Sequence, residues 1–429
     1  MTEKHLTLIG IGVGNEILLT EKAKSALLKV QIVFGAKRLL CSVQKILSSK
    51  NGSESVHTEE LYRAVDIASF LSENPDFTNV AVVFSGDTGF FSGASGFFKE
   101  TSVFFDGWIL EIINGISSAV YFASKLQKSW QGWKFLSLHG AKCNFIEEIR
   151  KNPACFFILS GVEDVKSLGE KLERAEKNKI LSEIKCYLGS NLSYPDEKIL
   201  QLTPSKLKNF EEVKKSTLYV LLVEHEGAKK QSVLPILHDE DFIRLEKIPM
   251  TKQEIRQISI CALGLSEHSV FYDIGSGTGS VTVEAARIAT EGQVYAIDCS
   301  EEALLLTQRN VEKFCLENVS CILSEAVKAF ENENLPPPSH AFIGGSKGNL
   351  VGICQILLQK NPSVKIVANF VSIEGICEMQ AFLKSAEASG IIENVEIRQI
   401  AVSRALKAGE FNLMKAQNPV WVVSFSGKE

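Results

Sequence analysis

The chain has 429 residues, 45% of them apolar, and a formal net charge of −5. That length predicts two or three domains with ordinary cores, and the slightly acidic balance excludes a general nucleic-acid-binding role. No apolar run is long enough to span a bilayer, and ten scattered cysteines without a CxxC pair or a Cys/His cluster predict reduced thiols in a cytoplasmic protein with no metal site.

The opening MTEKHLTLIGIGVGNE places a Lys before an apolar run, as a signal peptide does, but Gly10, Gly12 and Gly14 interrupt it. It is expected to be a first strand and its turn. Further strands are predicted at 80–84, 109–113, 154–159, 185–188 and 218–223, and helices at 20–29, 64–71 and 117–125. Glycine-rich turns follow several strands, reading GIGVGN, SGDTGFFSGASG and NGISS. Strands alternating with helices predict an α/β unit whose ligands bind at the carboxyl ends of the strands, where these turns sit. A polar stretch of mixed charge with Pro235 predicts a linker over 227–243, between units 1–226 and 244–429. The second unit repeats the alternation, with strands predicted at 270–273, 294–298, 319–323, 340–343, 364–369, 395–402 and 419–425. Helices are predicted between them, as at 280–289 and 301–314. Seven strands with an antiparallel final pair predict a doubly wound sheet.

The segment VFYDIGSGTG is the most informative in this second unit. A strand runs into a glycine-rich turn and a helix, and the next strand, QVYAID, ends in Asp298. Such a unit binds a nucleotide, with the acid accepting hydrogen bonds from ribose hydroxyls. A dinucleotide fingerprint would need glycine where Ser280 stands. The GxGxG spacing after an acid is the pattern of S-adenosylmethionine (SAM) methyltransferases.

Over nearly its whole length the chain resembles the precorrin-6Y C5,15-methyltransferase (decarboxylating) family of cobalamin biosynthesis, in its two-domain form. The three glycine turns, with SLHGA and NLSYPDEKI, carry the resemblance in the first half. PMTKQEIR, DIGSGTGSVTVEAAR, FIGGSKGNL and SRALKAGEFNLMKAQNPVWVV carry it in the second. Val13, Thr88 and Asn114 stand where the family commonly has proline, and His340 where it often has Asp. The resemblance implies a tetrapyrrole methylase fold followed by a Rossmann-like class I SAM methyltransferase. It implies a homo-oligomer that uses SAM on a corrinoid precursor, precorrin-6B or its cobalt form. Residues 1–226 would methylate C5. Residues 244–429 would methylate C15 and remove the ring C acetate carboxyl, giving precorrin-8. Another tetrapyrrole as acceptor stays open.

By the same resemblance, Thr251, Gly275, Ser276, Gly277, Thr278, Gly279, Asp298 and Ala326 contact the cofactor in the second half. Asp273 supports the loop. Ser85, Gly86, Asp87, Ser117 and Ser118 contact it in the first half. A substrate rich in carboxylates calls for basic partners. Arg404 matches an Arg of the family pattern. Lys252 and Arg256 stand at i and i+4 of a predicted helix and so share a face. Methyl transfer from a sulfonium needs no Ser or Cys nucleophile. Glu284, His340 and Glu325 are available as proton donors, and none is assigned.

Overall fold

The computed structural model describes residues 3–48, 56–138, 144–211, 218–228, 236–331 and 335–428. The SLHGA motif from residue 139 on, and linker residues 229–235 with Pro235, lie outside the described residues. The chain divides into two compact units. The first comprises 1–139, 154–169 and 185–224, and the second 140–153, 170–184 and 225–429.

In the first unit, β1 (His5–Gly10), β2 (Ile32–Phe34), β3 (His57–Glu59), β4 (Asn79–Phe84) and β5 (Ile109–Ile113) form a parallel sheet of order β3-β2-β4-β1-β5. Side chains of β1 alternate between two cores. Leu6 and Leu8 pack with Phe34, Ile67 and Phe97, while Ile9 packs with Ala23, Leu27 and Val43. Burial on both faces is why this strand reads as a continuous apolar run. A second sheet joins β6 (Lys134–Ser137), β7 (Ala154–Leu159), β8 (Ile184–Ser190), β9 (Lys198–Leu202) and β10 (Tyr219–His225) in the order β6-β7-β10-β8-β9. It is mixed, with β6 parallel to β7 and β10 antiparallel to it. Strands β2, β3, β6 and β9 go unpredicted because three to five residues carry too little periodicity to read.

In the second unit, β11 (Val270–Ile274), β12 (Gln293–Asp298), β13 (Val319–Leu323), β14 (His340–Ile343), β15 (Lys365–Phe370) and β16 (Ile392–Ile400) precede a hairpin of β17 (Ser403–Ala408) and β18 (Phe411–Ala416), then β19 (Val420–Gly427). The seven-stranded sheet has the order β13-β12-β11-β14-β15-β19-β16. Strand β19 runs antiparallel to both neighbours. Period-two alternation sorts its inner strands onto two helical layers. Phe271, Phe342, Val367 and Val422 face Ile255, Ile260, Leu263 and Val281. Tyr272, Ile274, Ala341, Ile343, Ile366 and Phe425 face Leu350, Ile353, Leu357 and Met379.

Residues 236–243, expected in the linker, are built into this unit instead. Phe242 is in its core, and the Ile243 amide donates to Asn310 Oδ1 at 2.8 Å. Asp239 is 1% exposed and accepts from Arg256 Nη1 at 3.3 Å.

Arg256 corrects a second expectation. It has no exposed surface and cannot meet a substrate carboxylate. Its guanidinium lies 4.7 Å over the Phe242 ring and donates to Glu284 and to the carbonyls of Leu237 and Thr251. The i, i+4 spacing to Lys252 holds, but the helix Gln253–Leu263 turns the Arg256 position inward while Lys252 stays at its N-terminal cap. A buried arginine is tolerated when carboxylates and carbonyls satisfy it, and removing it strands those carboxylates. Arg256→Ala should therefore lower the stability of the full chain to urea by about 3–5 kcal/mol. A loss under about 1 kcal/mol, the scale of an exposed pair, would show that Asp239 and Glu284 do not depend on it.

Candidate functional site

In the second unit the turn after β11 is fixed by steric necessity. Gly275 has φ +71°, and a Cβ there would lie 2.8 Å from the Gly345 amide nitrogen. Gly277 has φ +56°, and its Cβ would lie 2.9 Å from the Pro249 carbonyl oxygen. Both positions exclude any side chain. The turn then delivers Gly279 to the start of the helix Ser280–Ile288. Asp298, at the end of β12, accepts from the Gly277 amide at 3.0 Å and from the Ser300 amide at 2.9 Å. Its carboxylate thus braces the loop and the next helix start.

Around this turn lies a cavity of about 570 Å³. Gly275, Gly277, Asp298 and Ala326 line it. Ser276, Thr278 and Gly279 do not; they hold the loop from behind. Ser276 Oγ is 3.2 Å from Thr307 Oγ1, and the Thr278 carbonyl accepts from Asn310 at 2.8 Å. Thr251 stands outside the lining, its carbonyl tied to Arg256 at 2.8 Å, and Lys247, Ile248 and Pro249 take the wall instead. Gly344 to Lys347, in the FIGGSKGNL segment, close the opposite wall. Sequence reasoning marked that segment but assigned it no contact, although glycines after a strand are the signal that would have found it.

Asp273 is 1% exposed. One of its oxygens accepts from Thr282 Oγ1; the other has no hydrogen-bond partner among the described residues. Burial pushes its carboxyl up to about 7, against the pull of Thr282 and with a smaller push from Asp298.

The candidate proton donors separate cleanly. Glu284 is buried and bonded to Arg256, Gln257, Arg287 and the Leu237 amide. His340 opens β14, paired with Phe271, three residues before the end that meets the cavity. Burial, with Lys365 nearby, pulls its imidazole down to about 4. Only Glu325 lines the cavity, paired with Lys328 at 2.9 Å. The basic candidates separate too. Arg404 Nη2 meets Glu254 at 2.6 Å and Asp239 at 3.1 Å, so two carboxylates already answer its charge. Lysines 247 and 347 are the cations in the cavity wall.

In the first unit the three glycine turns converge at the carboxyl ends of β1, β4 and β5. Gly12 and Gly86 exchange backbone hydrogen bonds of 3.1 and 2.9 Å. A Cβ on Gly115 would lie 2.6 Å from the Gly10 carbonyl oxygen and the Gly12 amide nitrogen. Ser85, Gly86 and Asp87 occupy the second of these turns. Asp87 Oδ1 accepts from the Gly89 amide at 2.8 Å, a turn-forming bond. Ser117 and Ser118 stand at the next helix start, where Ser117 Oγ caps the helix by accepting from the Val120 amide at 3.2 Å.

Known proteins match both halves. Residues 5–208 match the family model of tetrapyrrole (corrin/porphyrin) methylases, and residues 246–426 that of the precorrin methyltransferase domain. A probable cobalt-precorrin-6B C(15)-methyltransferase (decarboxylating) of Pyrobaculum calidifontis is 37% identical over 192 residues, 44% of this chain and 95% of that protein. Its counterpart in Methanosarcina mazei is 38% identical over 174 residues, 40% of this chain and 91% of that protein. The solved precorrin-6Y C5,15-methyltransferase of Geobacter metallireducens is 28% identical, covers 44% of this chain and 96% of that one, and superposes with a TM-score of 0.41. With the two family matches in tandem, and the Pyrobaculum and Methanosarcina proteins aligned across nearly their whole length, the chain belongs to the cobalt-precorrin-6B C(15)-methyltransferase (decarboxylating) family, in a two-domain form with a tetrapyrrole methylase half before it.

Proposed function

We propose that the protein methylates C5 and C15 of precorrin-6B, or its cobalt form, and removes the carboxyl of the ring C acetate, giving precorrin-8. The first half, residues 1–226, would act at C5; the second, from residue 236 on, at C15 and on the acetate. The observation that carries the reading is the second unit's cavity, with its glycine turn and Asp298 at the carboxyl ends of β11 and β12. The relatives aligned with that half are named for C15 methylation with decarboxylation. We place the protein in the cytoplasm as a homo-oligomer without nucleic-acid partners. No helix among the described residues is long and apolar enough to cross a membrane.

S-Adenosylmethionine fits this cavity. The space is of nucleoside size, its floor is backbone that no Cβ could enter, and one carboxylate stands at the strand tip. When bound, it supplies an electrophilic methyl group. Asp298 would hold the ribose hydroxyls, and Gly275 and Gly277 would let the backbone approach. Lys247 and Lys347 would meet ligand carboxylates. The residues align the acceptor carbon with the methyl and exclude water. Electrons released on decarboxylation pass into the conjugated macrocycle, so the protein's share of that step is orientation.

Asp298→Ala should weaken SAM binding at the second site by about 1.5–3 kcal/mol, the worth of a lost hydrogen bond to a charged group. The first site should be unchanged. Calorimetric titration of the full chain reads both sites, and equal affinities for parent and variant would remove the ribose role.

The raised carboxyl of Asp273 makes a pH prediction. Its stabilising contribution is full below the unfolded value near 3.9 and is lost as pH rises through about 7. The melting temperature of the ligand-free chain should fall across that window, and Asp273→Asn should flatten the fall. Parallel curves for parent and variant would place the titration elsewhere.

The division of labour is tested in the full chain, because residues 140–153 and 170–184 of the first half belong to the second compact unit and a cut near Gln231 would part them from it. A Gly115→Val chain, with the turns of the first site forced apart, should yield with SAM a product with one methyl more and one carboxyl less by mass spectrometry. The parent should add one further methyl only. Release of carbon dioxide by a Gly275→Val chain, with the second site blocked, would reverse the assignment.

A further inference from the structure

A guanidinium in the first unit stands beside the glycine turns with no carboxylate partner among the described residues. Arg38 lies in the helix Lys37–Ser48, directly after β2, and is exposed. Its Nη1 donates to the Tyr194 hydroxyl at 3.0 Å and its Nη2 to Ser85 Oγ at 3.4 Å. Both partners are neutral, and no carboxylate lies within ion-pair distance of Arg38 among the described residues. Some other cations of this unit do have carboxylate partners: Lys22 meets Glu111 at 2.7 Å, and Lys125 meets Glu197 at 2.8 Å.

The fold holds this arginine in place. Tyr194 belongs to the SYPDE segment after β8. That segment is tied to the first glycine turn, with Ser193 Oγ donating to the Val13 carbonyl at 2.8 Å and Asn15 Nδ2 to the Ser193 carbonyl at 3.3 Å. Gly14 has φ +104°, and a Cβ there would lie 2.5 Å from the Tyr194 ring Cζ. The glycine makes room for the ring, and the ring's hydroxyl steadies the guanidinium. Hydroxyls orient an arginine without cancelling its charge, so the planar fork keeps its full attraction for an anion.

We propose that Arg38, steadied by Tyr194 and Ser85, is the anchor for a peripheral carboxylate of the acceptor in the first unit. The proposal rests on the reading above, in which the acceptor is a macrocycle bearing acetate and propionate groups. It explains why SYPDE and GIGVGN, far apart in sequence, are joined by hydrogen bonds: together they fix the anchor beside the turn expected to hold the cofactor.

The test uses the full chain with precorrin-6B and SAM, followed by mass spectrometry and steady-state kinetics. In Arg38→Ala the one-methyl, decarboxylated product should accumulate. KM for adding the second methyl should rise roughly tenfold or more, the scale of a lost charge-assisted pair, with a smaller fall in kcat. Arg38→Lys should recover part of the loss, and Tyr194→Phe should show a milder form of it. A second methylation in Arg38→Ala with the parent's KM overturns the proposal. The cofactor also carries a carboxylate, so S-adenosylhomocysteine is titrated in parallel. Weaker S-adenosylhomocysteine binding with an unchanged acceptor KM would assign the anchor to the cofactor and overturn the proposal as well. If the parent does not methylate precorrin-6B at all, the functional reading has failed, and titration with uroporphyrin I, a stable octacarboxylate, decides about Arg38 on its own. Binding roughly tenfold weaker in Arg38→Ala sustains the anchor; equal binding, or none by the parent, overturns it.

Discussion

Backbone meets backbone at the carboxyl ends of the strands in both units, and every site described depends on that closeness. Gly275 lies against Gly345, Gly277 against Pro249, and Gly115 against Gly10 and Gly12. A single methyl group at any of these points would force the turns apart. The turns then could not present amides and carbonyls at the distances a small ligand needs. The helices and cores behind them, with Phe271 and Tyr272 packed to opposite layers, hold the strand ends in register.

Carboxylates do different work according to what surrounds them. Asp298 faces a cavity and accepts hydrogen bonds from two backbone amides. Asp273 is enclosed, with one oxygen unpartnered among the described residues, and burial favours its neutral form. Asp239 and Glu284 are equally enclosed but share the Arg256 guanidinium. The difference lies in the partners, since residue type and strand position alone would treat these acids alike.

Much of this was legible from the chain. The run VFYDIGSGTG followed by QVYAID locates β11, the turn and β12, because apolar runs, glycines and a terminal acid each have one physical meaning there. The antiparallel end of the second sheet was legible for the same reason. Arg256 was not. A spacing of i, i+4 says that two side chains share a face, never whether that face is turned inward, and the inward pull comes from Asp239 and Glu284, at 17 and 28 positions' remove. Residues 236–243 misled by composition, since HDED reads as solvated until one sees what its first aspartate binds. The pairing of Tyr194 with Arg38 spans 156 positions and leaves no periodic trace.

The tie between Asp239 and Arg256 bears on how such a protein could be assembled from parts. The family match of the second half begins at residue 246, seven positions after the aspartate that its buried arginine requires. A gene fusion, or a laboratory chimera, joined where that match starts would leave a guanidinium in the core short of one of its counter-ions. The portable module is therefore longer than the matched domain. Its leading edge is a short acidic segment whose worth lies in one buried contact.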